Sequence, residues 1–454
     1  MLSLDLAKNN HYDAQSFAEQ FSSWYYANHY RVFPLNPFQV LADLDLHFVF
    51  RNFDKIEGLL MPSTQADGIN LIVLNAKRPI QRQRFSAAHE LCHMLKDVRD
   101  GISGSFICET NSKNYIERYA DRFASAFLMP RDEMIHQIEL RGRGDEPLSL
   151  DDILIIAEYF GTSFSACYYR IKDICGWYAV PGEKAKRKYK PKQRRDKLGF
   201  SDLTLLCNML DSWQDVGYQF SSEYAQHIFR SRYIYNDARI EGIDVSFETA
   251  AEIVEDLYNN TQHSIYCNEQ HQSYCHIAGH MAMYQHLYET DLHKEKISVF
   301  DTAALHRQLF SIVPHPEFGG KFRTTNPVVV GAKFETLDYH QVIPAMLELD
   351  SKLQELDKNV AVMTKSDIVK QIAEIHHRMT VIHPFPDGNG RTSRGFMNML
   401  FMRYNLPPIY VRTEYKDLYR YALSIADAKA DYTKLYSFIM NELIRSHVEL
   451  SKLN

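Results

Sequence analysis

The sequence predicts a multidomain protein in which an α+β domain is followed by a mainly α-helical one, and three observations carry that prediction. The chain has 454 residues, more than one hydrophobic core usually supports. Its first part mixes helical apolar spacing with strand-like runs at "LHFVF" and "INLIVLN", whereas after Phe200 the spacing is helical almost throughout. Between them, "KAKRKYKPKQRRDK" (Lys184 to Lys197) holds nine Lys or Arg against one Asp, with a proline and no apolar period, and reads as a solvated linker. The expected boundaries are 1–178 for the first domain, 179–199 for the basic linker and 200–454 for the second domain.

Composition narrows the class. With 45% hydrophobic and 24% charged residues the chain can bury a sizeable core. A net charge of −6 argues against a chain built to bind nucleic acid, which is not expected as a partner. Seven cysteines, an odd number, do not resemble a disulfide framework, and the start shows no apolar run of signal length. No stretch is long and apolar enough for a membrane span, so a cytoplasmic protein is expected.

In the first domain, "HELCH" places His89 and His93 four apart, on one face of a helix, where both imidazoles can meet one Zn²⁺. Glu90 then stands beside the metal as general base, a combination suited to peptide hydrolysis. In "YIERYADRFASAFLMP" (Tyr115 to Pro130), Glu117 supplies a third ligand. Asp121, one turn on, can accept the outer N–H of a ligating histidine. The alternative is a surface acid pair on a core helix.

These residues, with "QRFSAAHELCH" and "FGTSFSACYYRI", resemble the ImmA/IrrE metallopeptidases, relatives of thermolysin-type gluzincins, over roughly residues 15 to 175. The resemblance implies a gluzincin-like fold, His89, His93 and Glu117 as zinc ligands, Glu90 as catalytic base, and a regulatory protein as the one cleaved. Cys92 stands where the family often has glycine and is expected to pack. No helix-turn-helix partner domain is evident in the sequence.

In the second domain, "SDIVKQIAEIHHRMTVI" carries Ile368, Val369, Ile372, Ile375 and Met379 on one helical face, and "GFMNMLFMRYNL" is apolar nearly all round, as in a core helix. Between them lies "HPFPDGNGRTSR" (His383 to Arg394). Gly388, Asn389 and Gly390 at a helix start leave backbone N–H groups uncovered, which makes an anion hole. Arg391 and Arg394 can close on the outer phosphates of a nucleotide, Asp387 can hold Mg²⁺, and His383 is left as the base for an incoming Ser, Thr or Tyr hydroxyl. There is no Walker-type loop, which excludes an ordinary P-loop NTPase.

The stretch matches every defined position of the Fic family pattern HPFx[DE]GNGRxxR, and similarity runs over roughly residues 200 to 440 through "LHRQLF", "GKFRTTNPVVVGA" and "VIPAMLELD". The resemblance implies a helical Fic fold with a small β-hairpin flap around Val328 to Val330, and transfer of AMP from ATP to a protein hydroxyl. In that reading Asn389 and the glycine amides hold the α-phosphate region. The segment "KFETLDYHQ" lacks the family's usual proline cluster.

Self-restraining Fic proteins carry [ST]xxxE[GN] on an inhibitory helix. Here "NDARIEG" offers Glu241 and Gly242 on a helix expected near 235–243, with Asp237 at the Ser/Thr position as a helix N-cap. Glu241 is then expected to pair with Arg394 and deny it to the γ-phosphate. Cys267, His271, Cys275, His276 and His280 recur at four-residue steps in "CNEQHQSYCHIAGH"; they read as scattered helix residues before a metal site. The combined expectation is a protein adenylyltransferase preceded by a zinc-dependent peptidase, with ATP, a modified protein and a cleaved protein as partners. The alternatives are a first domain that only senses or docks, and a Fic enzyme using another phosphate-containing donor.

Overall fold

Alternation along "LHFVFR" buries Leu46, Phe48 and Phe50 on one face of strand β1 (Leu46–Arg51). The run "NLIVLN" forms β3 (Asn70–Asn75), parallel to β1 with Leu46 opposite Asn70. Two further strands complete a sheet of order β1-β3-β2-β4: β2 (Ile56–Met61), antiparallel to β3, and β4 (Phe106–Glu109), antiparallel to β2. Neither β2 nor β4 was expected from sequence, because "IEGLLM" has Gly58 in its middle and no alternation.

This computed structural model describes the chain apart from residues 1–12, 64–68, 99–105, 110–113, 142–145, 215–222, 261–271, 291, 293–295, 313–315, 327–336 and 452–454. It divides into two units, Met1–Asp215 and Val216–Asn454. None of the described helices is long and apolar enough to cross a membrane.

In the first unit the helix Ile80–Leu95 packs on β2 through an apolar face that includes the buried Ala87, Ala88 and Leu91. Helix Tyr115–Leu128 lies beside it and is covered in turn by Ala14–Tyr26, whose Phe17 and Phe21 meet Phe123 and Phe127 at ring distances of 5.3 and 5.7 Å. Helix Leu150–Phe160 begins in a capping box between Ser149 and Asp152 and ends at Gly161 with φ of 61°.

The basic stretch expected as a solvated linker is instead two helices, Glu183–Lys188 and Pro191–Leu198, within the first unit. Arg194 binds Asp151 at 2.6 Å, and Arg195 binds Glu158 and Asp202, each at 2.5 Å. Those acids lie on or near other helices, so Arg194 and Arg195 are ion-paired, while no residue of either basic helix is buried. The next helix, Leu203–Ser212, also belongs to this unit, and Trp213 behind it is buried against Phe48 and Phe50. The division therefore falls at residue 215, later than the expected 199.

The second unit is helical among its described residues, with its core between Glu223–Ile240, Phe247–Asn260 and Gln272–Glu289, where Phe229, Ile234, Val254, Ile277 and Met281 meet. The helix Asn389–Arg403 is buried on nearly every side, as its all-round apolar sequence predicts. Apart from Asn326, the β element expected at "NPVVVGAKF", with the flap at Val328 to Val330, lies outside the described residues.

Gly161→Ala should destabilise the first unit by about 2 kcal/mol or more. The φ is left-handed, and a Cβ there would come within 2.7 Å of Leu205 and 3.0 Å of Pro34. All three tryptophans, Trp24, Trp177 and Trp213, lie in this unit, so thermal unfolding followed by tryptophan fluorescence reads it alone. An unchanged midpoint would show that the cap tolerates a side chain.

Candidate functional site

Two groups of side chains stand out, one in each unit. In the first, the four-residue spacing on Ile80–Leu95 brings His89 and His93 side by side, and the facing helix Tyr115–Leu128 delivers Glu117 between them. His89 Nε2 and His93 Nε2 are 3.0 Å apart, and the Glu117 oxygens lie 3.2 Å from the former and 3.4 Å from the latter. Among the described residues this is the one group of three potential ligands with atoms all within 4.8 Å of one another.

The far sides of both imidazoles are held by acids. His89 Nδ1 donates to Asp121 Oδ1 at 3.0 Å, and His93 Nδ1 donates to Asp97 Oδ2 at 2.7 Å. With the protons on Nδ1, each Nε2 turns a lone pair toward the other and toward a carboxylate. Such a donor set is repulsive unless a cation lies within it, so the residues present fit a metal ion such as Zn²⁺. A proton on either Nε2 would instead be shared with Glu117 and hold its carboxyl down, at about 2, against the effect of burial.

Glu90 is fully buried beside this group, and neither of its carboxylate oxygens has a hydrogen-bond partner in the protein. Burial raises its pKa to about 7. A buried carboxyl with both oxygens unused is placed to exchange a proton with something that enters the site. Gly58 on β2 makes room for it, since a Cβ there would lie 2.7 Å from Glu90 Oε1. Sequence reasoning missed Asp97 and Gly58. Asp97 was legible, standing one helical turn beyond His93; Gly58 carried only the weak signal of a glycine within an apolar run. Cys92 is buried, as a packing residue would be.

In the second unit the helix Lys365–Ile382 ends at His383, whose φ of 52° turns the chain sharply, and Asn389–Arg403 begins after Gly388 with φ of 72°. The loop between them is pinned from three sides. Arg323 Nε donates to His383 O at 2.7 Å. His306, stacked 4.0 Å from the Phe385 ring, accepts from Gly320 N at Nδ1 and so donates from Nε2 to Asp387 O, each at 2.9 Å. Asn389 bonds both polar groups of Phe385, accepting from its N–H and donating to its C=O at 2.8 Å each.

That last pair changes an expectation. Asn389 was expected to face the nucleotide, but both ends of its side chain are committed to the loop backbone. The N–H groups of the first helical turn beside it have no intrahelical acceptor and carry the positive end of the dipole. Gly388 is required for another reason, since a Cβ there would come 2.5 Å from the Phe310 ring.

Asp387 points outward, 66% exposed, with Oδ1 accepting from Gly388 N at 2.6 Å. His383 is half-buried, and burial lowers its pKa, so its imidazole is neutral at neutral pH. Arg391 is buried beneath the loop, with its guanidinium 5.9 Å from the Phe310 ring centre and Nη1 3.2 Å from His276 Nδ1. Burial, with Arg391 beside it, lowers the His276 pKa to about 4.

Arg394 meets two acids. Its Nε donates to Asp237 and its Nη2 donates to Glu241 Oε1 at 2.5 Å. Asp237 and Glu241 are one turn apart, at the end of and just after the helix Glu223–Ile240. The Glu241 carboxylate lies over Gly390, against the place where a Cβ would be. Asp237, expected as a helix N-cap, is inside that helix and buried, with its charge matched by Arg394. Of the cysteine–histidine stripe, Cys267 and His271 lie outside the described residues, while His276 and His280 face Arg391 and Asp237 respectively.

Residues 41–172 match the family described as IrrE N-terminal-like domain (Peptidase_M78), and residues 296–401 match the Fic/DOC family. Protein adenylyltransferase fic-1 of Caenorhabditis briggsae is 28% identical over 197 residues, 43% of this chain and 36% of its own length. Protein adenylyltransferase Fic of Drosophila persimilis is 29% identical over 198 residues, with the same shares covered. The chain thus spans 36% of the length of these curated relatives. A Fic domain containing signaling protein from Bacteroides thetaiotaomicron is 22% identical with a TM-score of 0.44, over 56% of this chain and 98% of that one. A fragment of Fic-1 from C. elegans is 20% identical with a TM-score of 0.46, over 81% and 97%.

Asn389→Ala leaves the buried N–H and C=O of Phe385 without partners, which should cost about 2–4 kcal/mol. Calorimetric unfolding of the full chain should show the second unit melting earlier while the tryptophan-monitored transition stays in place. Equal shifts in both would assign the effect elsewhere.

Proposed function

We propose that this chain, which joins an IrrE N-terminal-like region to a Fic-family region, is a protein adenylyltransferase held in check by Glu241 and preceded by a zinc-dependent peptidase. The observation that carries the first part is the seat of the Glu241 carboxylate. It lies on Arg394 and against the Cβ position of Gly390, in the first turn of a helix whose N-terminal end favours an anion. A phosphate group has the same requirements.

In the reaction, a protein Ser, Thr or Tyr hydroxyl gives its proton to the neutral His383. Its oxygen bonds to the α-phosphorus of ATP as the bond to pyrophosphate breaks. The helix N–H groups at Asn389 and Gly390 hold phosphate oxygens, and Asn389's side chain keeps the loop in shape. Asp387, turned outward, offers its second oxygen to Mg²⁺ on the triphosphate. Arg391 and Arg394 take the outer phosphates, which favours a nucleoside triphosphate over donors with a single phosphate.

In the first unit His89, His93 and Glu117 would hold zinc, which when bound supplies a Lewis acid for peptide hydrolysis. Asp121 and Asp97 hold the imidazoles in the ligating tautomer. Glu90 takes a proton from the attacking water and returns it to the leaving amine. Its two unpartnered oxygens favour this role over a purely sensing domain.

Incubation with Mg²⁺ and α-labelled ATP should show at least about tenfold more transfer by Glu241→Gly than by wild type. A charge-assisted bond of about 1.5–3 kcal/mol is then removed from the competitor of the γ-phosphate. Glu241→Gln, which keeps the shape, should move the same way. His383→Ala should abolish transfer while ATP still binds by calorimetry. If neither Glu241 variant exceeds wild type, Glu241 is not the brake.

Metal analysis should find zinc in the purified chain, lost on His89→Ala or Glu117→Ala. Asp97→Ala should keep the site with about 10–100-fold lower affinity. Glu90→Gln should retain zinc and lose cleavage. Zinc content indifferent to both ligand changes would remove the proposed centre.

A further inference from the structure

Arg394 is held by two carboxylates, and their positions differ in a way that separates their roles. Asp237 binds Nε, the edge of the guanidinium nearest its own backbone, and its side chain is 1% exposed. Glu241 binds the terminal Nη2, and its side chain is 32% exposed. The terminal nitrogens face the loop: Nη1 lies 3.0 Å from where a Cβ of Gly390 would be. An incoming phosphate can therefore displace Glu241 from the solvent side, whereas Asp237 is shielded behind the guanidinium.

Asp237 is itself fixed. His280, fully buried on the helix Gln272–Glu289, lies with Nε2 3.1 Å from the second Asp237 oxygen, and burial lowers its own pKa despite the Asp237 carboxylate, so it packs there as a neutral imidazole. Burial raises the Asp237 carboxyl pKa, but Arg394 and His280 outweigh this and keep it ionised. A Ser or Thr hydroxyl at this position would supply no charge to hold Nε against the pull of a second anion.

Resting on the nucleotidyl-transfer reading, we propose that Asp237, backed by His280, is the positioning residue that aims Arg394 at the γ-phosphate of a nucleoside triphosphate. Asp237 and Glu241, four residues apart and bound to one guanidinium, thus act with opposite signs. Glu241 withholds the terminal nitrogens; Asp237 keeps them directed at the anion site after Glu241 leaves. Loss of Asp237 lets the guanidinium rotate about its side-chain torsions, and the grip on the γ-phosphate goes with it.

The test uses the full chain carrying Glu241→Gly, alone and with Asp237→Ala or Asp237→Asn, and measures ATP and ADP affinity by calorimetry with Mg²⁺. ADP lacks the γ-phosphate. The expected result is that Asp237→Ala lowers the preference for ATP over ADP by about tenfold or more, with ADP affinity nearly unchanged. Asp237→Asn, whose amide oxygen still accepts from Nε, should retain an intermediate preference. The proposal is overturned if Asp237→Ala in the otherwise wild-type chain raises AMP transfer as Glu241→Gly does, since Asp237 is then a second brake. It is also overturned if the ATP and ADP affinities fall together along with the melting temperature, which marks a purely structural role. If Glu241→Gly does not raise transfer but the ATP preference still depends on Asp237, the brake fails and the aiming role stands. Binding of neither nucleotide by any variant removes both.

Discussion

A charged guanidinium is costly to bury unless anions match it, and Arg394 imposes that condition on the second unit. An unpaired charge there would cost several kcal/mol, more than most single contacts return. The helix Glu223–Ile240 meets the condition by docking with Asp237 on Nε, followed one turn later by Glu241 on Nη2. Its apolar residues, Phe229, Tyr233 and Ile234 among them, pack into the core beside those acids. The helix that bears the proposed brake is therefore held by burial as well as by charge. Moving Glu241 aside leaves most of that packing in place.

The loop from His383 to Gly388 shows the complementary device. Its backbone is held by side chains from distant segments, Arg323 on the carbonyl of His383, His306 on that of Asp387, and Asn389 on both polar groups of Phe385. Each such bond satisfies a group that the turn would otherwise leave unpaired. The result is a fixed arrangement of N–H donors at the helix start, with little reorganisation left for a bound anion to bring about.

The first unit applies the same logic to imidazoles. Four-residue steps on helices place His89 with His93, His93 with Asp97, and Glu117 near Asp121. Two facing helices then interleave them, so that acids hold the outer nitrogens and a third acid stands between the inner ones. Glu90 has no such partner, and the strand opposite it gives way at Gly58. The contrast within a few residues separates carboxylates bonded to imidazoles from one whose two oxygens have no hydrogen-bond partner.

What the sequence determined by itself was local. A helix repeats every 3.6 residues, so side chains four apart share a face whatever surrounds them. His89 with His93, and Glu117 with Asp121, were legible for that reason, as were β1, β3 and the core helix after Arg394. The tertiary structure decided which distant groups meet. Asp237 lies 157 residues from Arg394, and Arg194 lies 43 from Asp151, so nothing periodic links them. A lone acid thus read as an N-cap and a basic run as a linker, though Asp237 in the one and Arg194 and Arg195 in the other are ion-paired in the fold. Asn389 shows the same division at close range. Its residue type announced a polar contact beside a helix start, but only the path of the chain at Phe385 decided that this contact is with the loop itself. Charge and polarity state what a side chain requires; the packing of elements far apart in sequence decides what supplies it.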